Sequence, residues 1–319
     1  SKLDDELSAL IYKHYLKNLD QNKAYFLKND IDEFDHYKHE IDDALISSDL
    51  NPAFEIFKRY RKRVDERIRF ALNMINTDFN FSIDETYRFD RRKDDWFVDK
   101  TELDKLWYKR VKNDVLNLKL TKKEPDEIKQ TLISRYNRIL NSTLQLNSND
   151  VFQSFINAYT TAIEPHTAYF SPRTSENFDI RMSLSLEGIG AVLRGDNDYT
   201  EVVKIIKGGP ADLSNELKAD DRIVGVAQGE ESKVIDVIGW RLDDVVDLIR
   251  GPKGSIIRLE VLPKDIGAEG TSKIVLMTRD KIKLEEQDAS SSIIDVPGTN
   301  TRVGAVSYTH LTLPTTPYV

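Results

Sequence analysis

Near residue 180 the spacing of apolar residues changes from a helical period to a strand period, so no single kind of layer can account for the whole chain. Before that point the apolar residues recur every three or four positions. Asn51-Pro52 reads as an N-cap followed by proline at the first helical position. Phe54, Phe57, Val64, Ile68, Leu72 and Ile75 then form a stripe, opposite Lys58, Arg61, Lys62, Asp65, Glu66 and Arg69. Thr101 with Asp104 three residues on predicts a capping box, and Leu103, Leu106, Trp107, Val111 and Leu118 follow as its stripe. Two further amphipathic helices are predicted, from Pro125 to Leu140 and from near Asn149 to Glu164-Pro165, where proline stops the second.

After residue 180, Met182, Leu184 and Leu186 alternate with Ser183, Ser185 and Glu187, as in a half-buried strand. Strands are expected at Ile189–Leu193, Tyr199–Ile206, Ile223–Val226, Ile256–Leu262 and Lys273–Thr278. One good helix interrupts them, Arg241–Arg250, closed by Gly251 and Pro252. A shorter one is expected from Ala211, after Gly208-Gly209-Pro210. Five or six strands and two helices in about 100 residues describe a small capped β-barrel or sandwich.

Composition bounds the function. The 319 residues suit two domains, and 39% hydrophobic residues suffice for globular cores. No apolar run reaches the roughly 18 residues of a membrane-spanning helix. The net charge of −8 disfavours non-specific nucleic-acid binding. With no cysteine, disulfides, thiolate metal sites and a cysteine nucleophile are excluded. The chain opens on Ser1 with no basic flank before an apolar core, so any signal peptide is expected to lie upstream or never to have been present, and the sequence reads as cut at its front.

The most informative run is Leu184-Ser185-Leu186-Glu187-Gly188-Ile189-Gly190-Ala191-Val192-Leu193. Glycines at 188 and 190 permit a turn whose successive N–H groups form an anion nest, suited to a peptide C-terminal carboxylate. The peptide itself would add as a strand along Ile189–Leu193. An ordinary hairpin or bulge explains the same pattern. A dinucleotide fingerprint is ruled out, because the third glycine is missing and no helix follows. The second wall of such a groove would be Arg241–Arg250, with Leu242, Val245, Val246 and Ile249 on its apolar face and Asp243, Asp244 and Asp247 towards solvent. His36 and His39 among acidic neighbours read as a solvated helix face rather than a metal site. His166 reads as a structural hydrogen-bonding residue, and Arg88–Asp95 as a surface loop.

Several blocks together resemble one family. Leu186–Leu193, Gly208-Gly209-Pro210-Ala211, Asp220–Val226, Val237–Val246 and Ile249–Ser255 are similar, in order and spacing, to the PDZ domain of the tail-specific, or C-terminal processing, proteases. Leu19-Asp20, Tyr25-Phe26-Leu27, Asp30-Ile31 and Glu164–Pro172 resemble the helical part of its long, Prc-like branch. The resemblance implies an α+β multidomain chain: a helical N-terminal domain over 1–178, a PDZ-type capped β-barrel over 179–283 and the start of a truncated α/β protease core over 284–306. Residues 307–319 read as a non-native tail, with a lineage-specific insertion as the alternative.

The implied activity is that of a periplasmic serine-type endopeptidase that binds the nonpolar C-terminal tails of protein substrates. The implied peptide-binding residues are Leu186, Gly188, Ile189, Gly190, Leu242, Val245, Val246 and Ile249. The family's catalytic serine and lysine lie downstream of its PDZ domain, and neither of their runs occurs here, so no catalytic residue is carried over and this chain alone is expected to be inactive. Lys253 belongs to the PDZ turn. No cofactor or metal is implied. An adaptor protein docking on the helical domain is a further implied partner. A non-catalytic adaptor or scaffold that captures protein C-termini is the competing reading.

Overall fold

The computed structural model describes residues 3–196, 198–264, 271–283, 290–295 and 302–307. It divides into two compact units, Ser1–Pro172 and Arg173–Val319. The boundary expected at residue 178 falls inside a helix that begins at Pro172, and nearly all of that helix belongs to the second unit.

The first unit is helical: α1 (Asp5–Leu19), α2 (Lys28–Glu33), a 3-10 turn (Asp35–His39), α3 (Ile41–Ile46), α4 (Asn51–Met74), α5 (Lys100–Leu120), α6 (Pro125–Leu144) and α7 (Ser148–Ile163). Its organising element is α4. Ala53 and Ile56 join Ile11, Tyr15, Phe26, Ile41 and Phe155 in one apolar cluster. Val64, Ile68 and Ala71 join Trp107, Val111, Leu132 and Tyr136 in a second. Tyr60 packs against both, so one long helix serves two cores.

Helix ends differ from expectation where a competing partner is at hand. Asn51 is not the cap: Leu50 takes that place, and the Asn51 N–H donates to Asp49 Oδ1 at 2.9 Å. Helix α5 begins at Lys100 with Asp99 as its cap, and Asp104 binds Lys100 and Arg67 instead of closing a capping box with Thr101. The capping box lies at α7, where the Asn147 side-chain oxygen accepts from the Asn149 and Asp150 N–H groups and Asp150 accepts from the Asn147 N–H. Helix α7 ends at Ile163, with Glu164, the extended residue before proline, as its C-cap, where the sequence predicts the stop.

The second unit begins with α8 (Pro172–Ser183). The alternation expected from Met182 therefore starts late: Met182 and Ser183 are helical, and Leu184, at φ 47°, ends the helix in the left-handed region. Then come β1 (Ser185–Gly188), β2 (Ala191–Asp196), β3 (Tyr199–Ile205), α9 (Pro210–Ser214), β4 (Arg222–Gln228), β5 (Ile235–Asp236), α10 (Leu242–Ile249), β6 (Ile256–Leu262), β7 (Lys273–Thr278) and β8 (Asp280–Lys283). Strands β2-β3-β4-β6-β7 form an antiparallel sheet, with β5 paired to β4. Strands β1 and β8 pair separately, as do β9 (Ser290–Asp295) and β10 (Arg302–Ser307).

Ile257, Leu259 and Val261 of β6 are buried and alternate with partly exposed neighbours, as the sequence predicts. With Val202, Ile223, Val226, Val245, Ile249 and Val275 they form the core of this unit. The architecture is α+β: a helical N-terminal region followed by a β-sheet domain with two packed helices. Of the expected core start over 284–306, residues 284–289 and 296–301 lie outside the described residues, as do residues 308–319 of the expected tail.

One buried charge holds the first unit's helices together. Asp30 is fully buried and receives the Arg63 Nε at 2.8 Å, the Arg63 Nη2 at 2.9 Å and a further bond from Arg59. Burial alone would raise its pKa, but the bonds from Arg63, the Leu27 N–H and Arg59 outweigh burial and leave it below the ordinary carboxylate value. A depressed carboxylate contributes stability above its unfolded pKa that is lost as pH falls through the folded one. Asp30→Asn should therefore lower stability near neutral pH by about 3 kcal/mol and flatten the acid limb of the stability–pH curve, both read by urea unfolding between pH 7 and pH 3.

Candidate peptide-binding site

Strand β2 ends the sheet. Among the described residues it pairs with β3 on one side only, so its other edge presents backbone groups without a strand partner. Its pairing with β3 shifts register between Val192 and Leu193, a bulge of the kind that twists an edge strand. Ala191 and Leu193 turn half-buried towards the core, and α10 packs beside β2 and β4. An edge strand next to a helix is the geometry that accepts an added peptide strand.

The turn at the head of β2 is fixed by its carbonyls. The Ala211 N–H donates to Ile189 O and the Ile206 N–H to Gly190 O, both at 2.8 Å. In a planar trans peptide the N–H points opposite to the preceding C=O. The Gly190 N–H therefore points away from α9, and the Ala191 N–H away from β3, towards the open edge. Gly190 has φ +76°, and a Cβ on it would lie 3.2 Å from Gly209 Cα. The two glycine pairs noted in the sequence thus meet backbone to backbone.

The expected site residues separate into three groups. Gly188, Ile189 and Gly190 do form the turn, but Gly188 stands in register with Asp280 in the β1–β8 pair and the Ile189 side chain is buried in the core. Ala191, next to Gly190, directs its N–H to the edge. On α10, Val245 and Ile249 are 0% and 3% exposed and belong to the core. Leu242 and Val246 are only half-buried. Leu186 is half-buried in a cleft shared with Glu176, Ile180, Glu187, Arg250 and Lys281.

One residue that fixes the groove helix was not legible in the sequence. The Arg279 side chain is 2% exposed and reaches the C-terminal end of α10. Its Nε donates to Ile249 O at 2.7 Å and its Nη2 to Leu248 O at 3.0 Å. It also donates to Gln228 Oε1 at 2.6 Å and Ser255 Oγ at 3.0 Å. A cation on the last carbonyls of a helix is favourable for the helix dipole. Desolvation in turn lowers the guanidinium's pKa. Gly251 is the residue that makes room, since a Cβ there would meet Arg279 Nε at 3.0 Å.

The remaining candidates are structural. Lys253 pairs with Asp280 at 2.6 Å, and the bond and charge of that carboxylate raise its pKa, which keeps it protonated. The Glu164 carboxylate accepts the backbone N–H of His166 and the Thr167 hydroxyl, both at 2.9 Å. His36 Nδ1 lies 3.0 Å from Glu33 O, and His39 Nδ1 lies 3.5 Å from Asp5. Among the described residues no group of three or more metal-ligating side chains converges.

The tail specific protease N-terminal domain family matches residues 1–173, and the PDZ domain family matches residues 178–262. The tail-specific protease of Haemophilus influenzae is 39% identical over 303 residues, covering 95% of this chain and 43% of that protein. The carboxy-terminal processing protease CtpA of Bacillus subtilis is 33% identical over 104 residues, 33% of this chain and 21% of that protein. The chain thus spans less than half the length of these relatives. A solved PDZ domain of a carboxy-terminal protease from Vibrio cholerae, in complex with peptide, is 56% identical and covers 32% of this chain and 100% of its own, with a TM-score of 0.30.

The approach of Gly190 to Gly209 has a direct consequence. Gly190→Ala combines a left-handed φ with a backbone clash and should destabilise the second unit by about 2–3 kcal/mol. Gly195→Ala, which meets nothing within 4 Å, should stay within about 0.5 kcal/mol. Urea unfolding of the two variants makes the comparison.

Proposed function

The chain belongs to the tail-specific protease family, and from that membership we propose that it carries the substrate-recognition part of a serine-type C-terminal processing endopeptidase. The observation that carries this reading is the open edge of β2 beside α10, headed by the Gly188–Gly190 turn. A substrate's C-terminal segment adds to β2 as an antiparallel strand, and its terminal carboxylate takes the N–H groups of Gly190 and Ala191. Its last side chain packs against Leu242, Val246 and Leu193. That surface offers apolar contact, so a charged last side chain would lose water without gaining a partner. Nonpolar tails are the preferred class.

In this reading cleavage belongs to a serine and lysine core whose sequence runs do not occur in these 319 residues. A lysine acts as a base there only if its surroundings lower its pKa enough to leave it neutral. The helical unit serves to dock substrate or an adaptor protein, and the working compartment is the periplasm. No described helix is long and apolar enough to cross a membrane. The domain limits that go with this proposal are a helical domain to residue 178, a PDZ domain to 283 and the first part of the protease core beyond it.

The chain should bind peptides that end in small or apolar residues with a free carboxylate. Amidating that terminus should weaken binding about tenfold or more, because it removes charge-assisted hydrogen bonds. Titration calorimetry with the paired peptides reads this, and equal affinities would rule out the carboxylate turn. The same chain should not cleave these peptides; cleavage blocked by a serine-directed reagent would place a nucleophile within it.

A further inference from the structure

The acidic face of α10 meets solvent in part and is also held from α8. Arg173 Nη2 lies 2.7 Å from Asp244 Oδ1 and 2.6 Å from Asp247 Oδ2, and Arg173 Nη1 lies 3.7 Å from Asp243 Oδ2. Asp243 also meets Arg241 at 3.1 Å. Four positions along α8 from Arg173, the Asn177 side-chain oxygen accepts from Arg250 Nη1 at 2.9 Å, just past the end of α10. Residues 173 and 177 share a helix face, so α8 grips α10 at two places.

Helix α10 needs such fixing. It is eight residues long, well short of what is stable alone. Its three carboxylates stand one, three and four positions apart, and like charges at three and four repel. The helix dipole favours Asp243 and Asp244 in the first turn but not Asp247 further on. Arg173 supplies the cation that all three share. Val245 and Ile249 set how deep α10 sits on the core, while contacts on its outer face set its rotation and its distance from β2. Because α8 leads through Leu184 into β1 and the glycine turn, the two walls of the groove are tied to one helix.

We propose that Arg173 is a positioning residue of the peptide groove, holding α10 through Asp244 and Asp247 at the distance from β2 that a bound tail requires. The proposal rests on the peptide-groove reading above. Arg173 touches no peptide in this scheme; it acts through α10.

The test uses the full 319-residue chain and a peptide with an apolar, free C-terminus. Arg173→Gln should weaken binding about three- to fivefold at low salt, the scale of a partly exposed ion pair, and the difference from wild type should shrink as salt screens it. Asp244→Asn with Asp247→Asn should weaken binding similarly and add little to Arg173→Gln. The swapped pair Arg173→Asp with Asp244→Arg should recover part of the loss, which a residue that only fills space would not allow. Unchanged affinity of Arg173→Gln at low salt would overturn the proposal. If wild type binds no such peptide, the groove reading fails, and amide exchange over residues 245–249 still decides the tether. Faster exchange in Arg173→Gln supports it, and unchanged exchange overturns it.

Discussion

The backbone contact between Gly190 and Gly209 is the constraint on which the recognition unit depends. It lets the turn after β1 lie directly against the turn before α9, with two hydrogen bonds holding the carbonyls of Ile189 and Gly190 inward. Because the peptide unit is planar, fixing the carbonyls also fixes the N–H groups. The same contact that closes the fold therefore aims donors at the open edge of β2. Side chains at either position would separate the turns and lose both effects.

The second wall is built on a different principle. Helix α10 is too short to hold itself, and each of its faces is fixed by something distant in the chain. Its apolar face is held by the core through Val245 and Ile249. Its C-terminal carbonyls are held by Arg279, and its acidic face by Arg173. Arg279 also leads directly into Asp280, which stands opposite Gly188 in the β1–β8 pair. A buried guanidinium and the register of the glycine turn are thus adjacent in the chain. In the helical unit the analogous role falls to Asp30, whose carboxylate gathers Arg59 and Arg63 of α4 onto the start of α2.

Much of this is legible in the amino-acid sequence. The alternation in Ile256–Leu262 marks the correct buried face, because a strand with one face in the core must alternate. Glu164-Pro165 marks the end of α7, because proline restricts the residue before it. The order of glycine turns and apolar runs identifies the PDZ-type arrangement. Local rules fail where another partner wins: Asp49 displaces Asn51 as the group that serves the start of α4, and Arg67 draws Asp104 away from Thr101. They fail again at Met182, where six residues of alternation are too short to outweigh a helix already under way.

The sequence by itself determined the two kinds of layer, the place of the glycine turn and the apolar character of α10, since each follows from residue type and local spacing. Only the tertiary structure divided the α10 stripe, sending Val245 and Ile249 into the core and leaving Leu242 and Val246 half-buried. It alone turned the N–H of Ala191 to the open edge, and brought Arg173 and Arg279 to the helix beside it. Those facts depend on groups tens of residues apart meeting through one fold, and no local pattern records which distant partner a charge or a carbonyl will find.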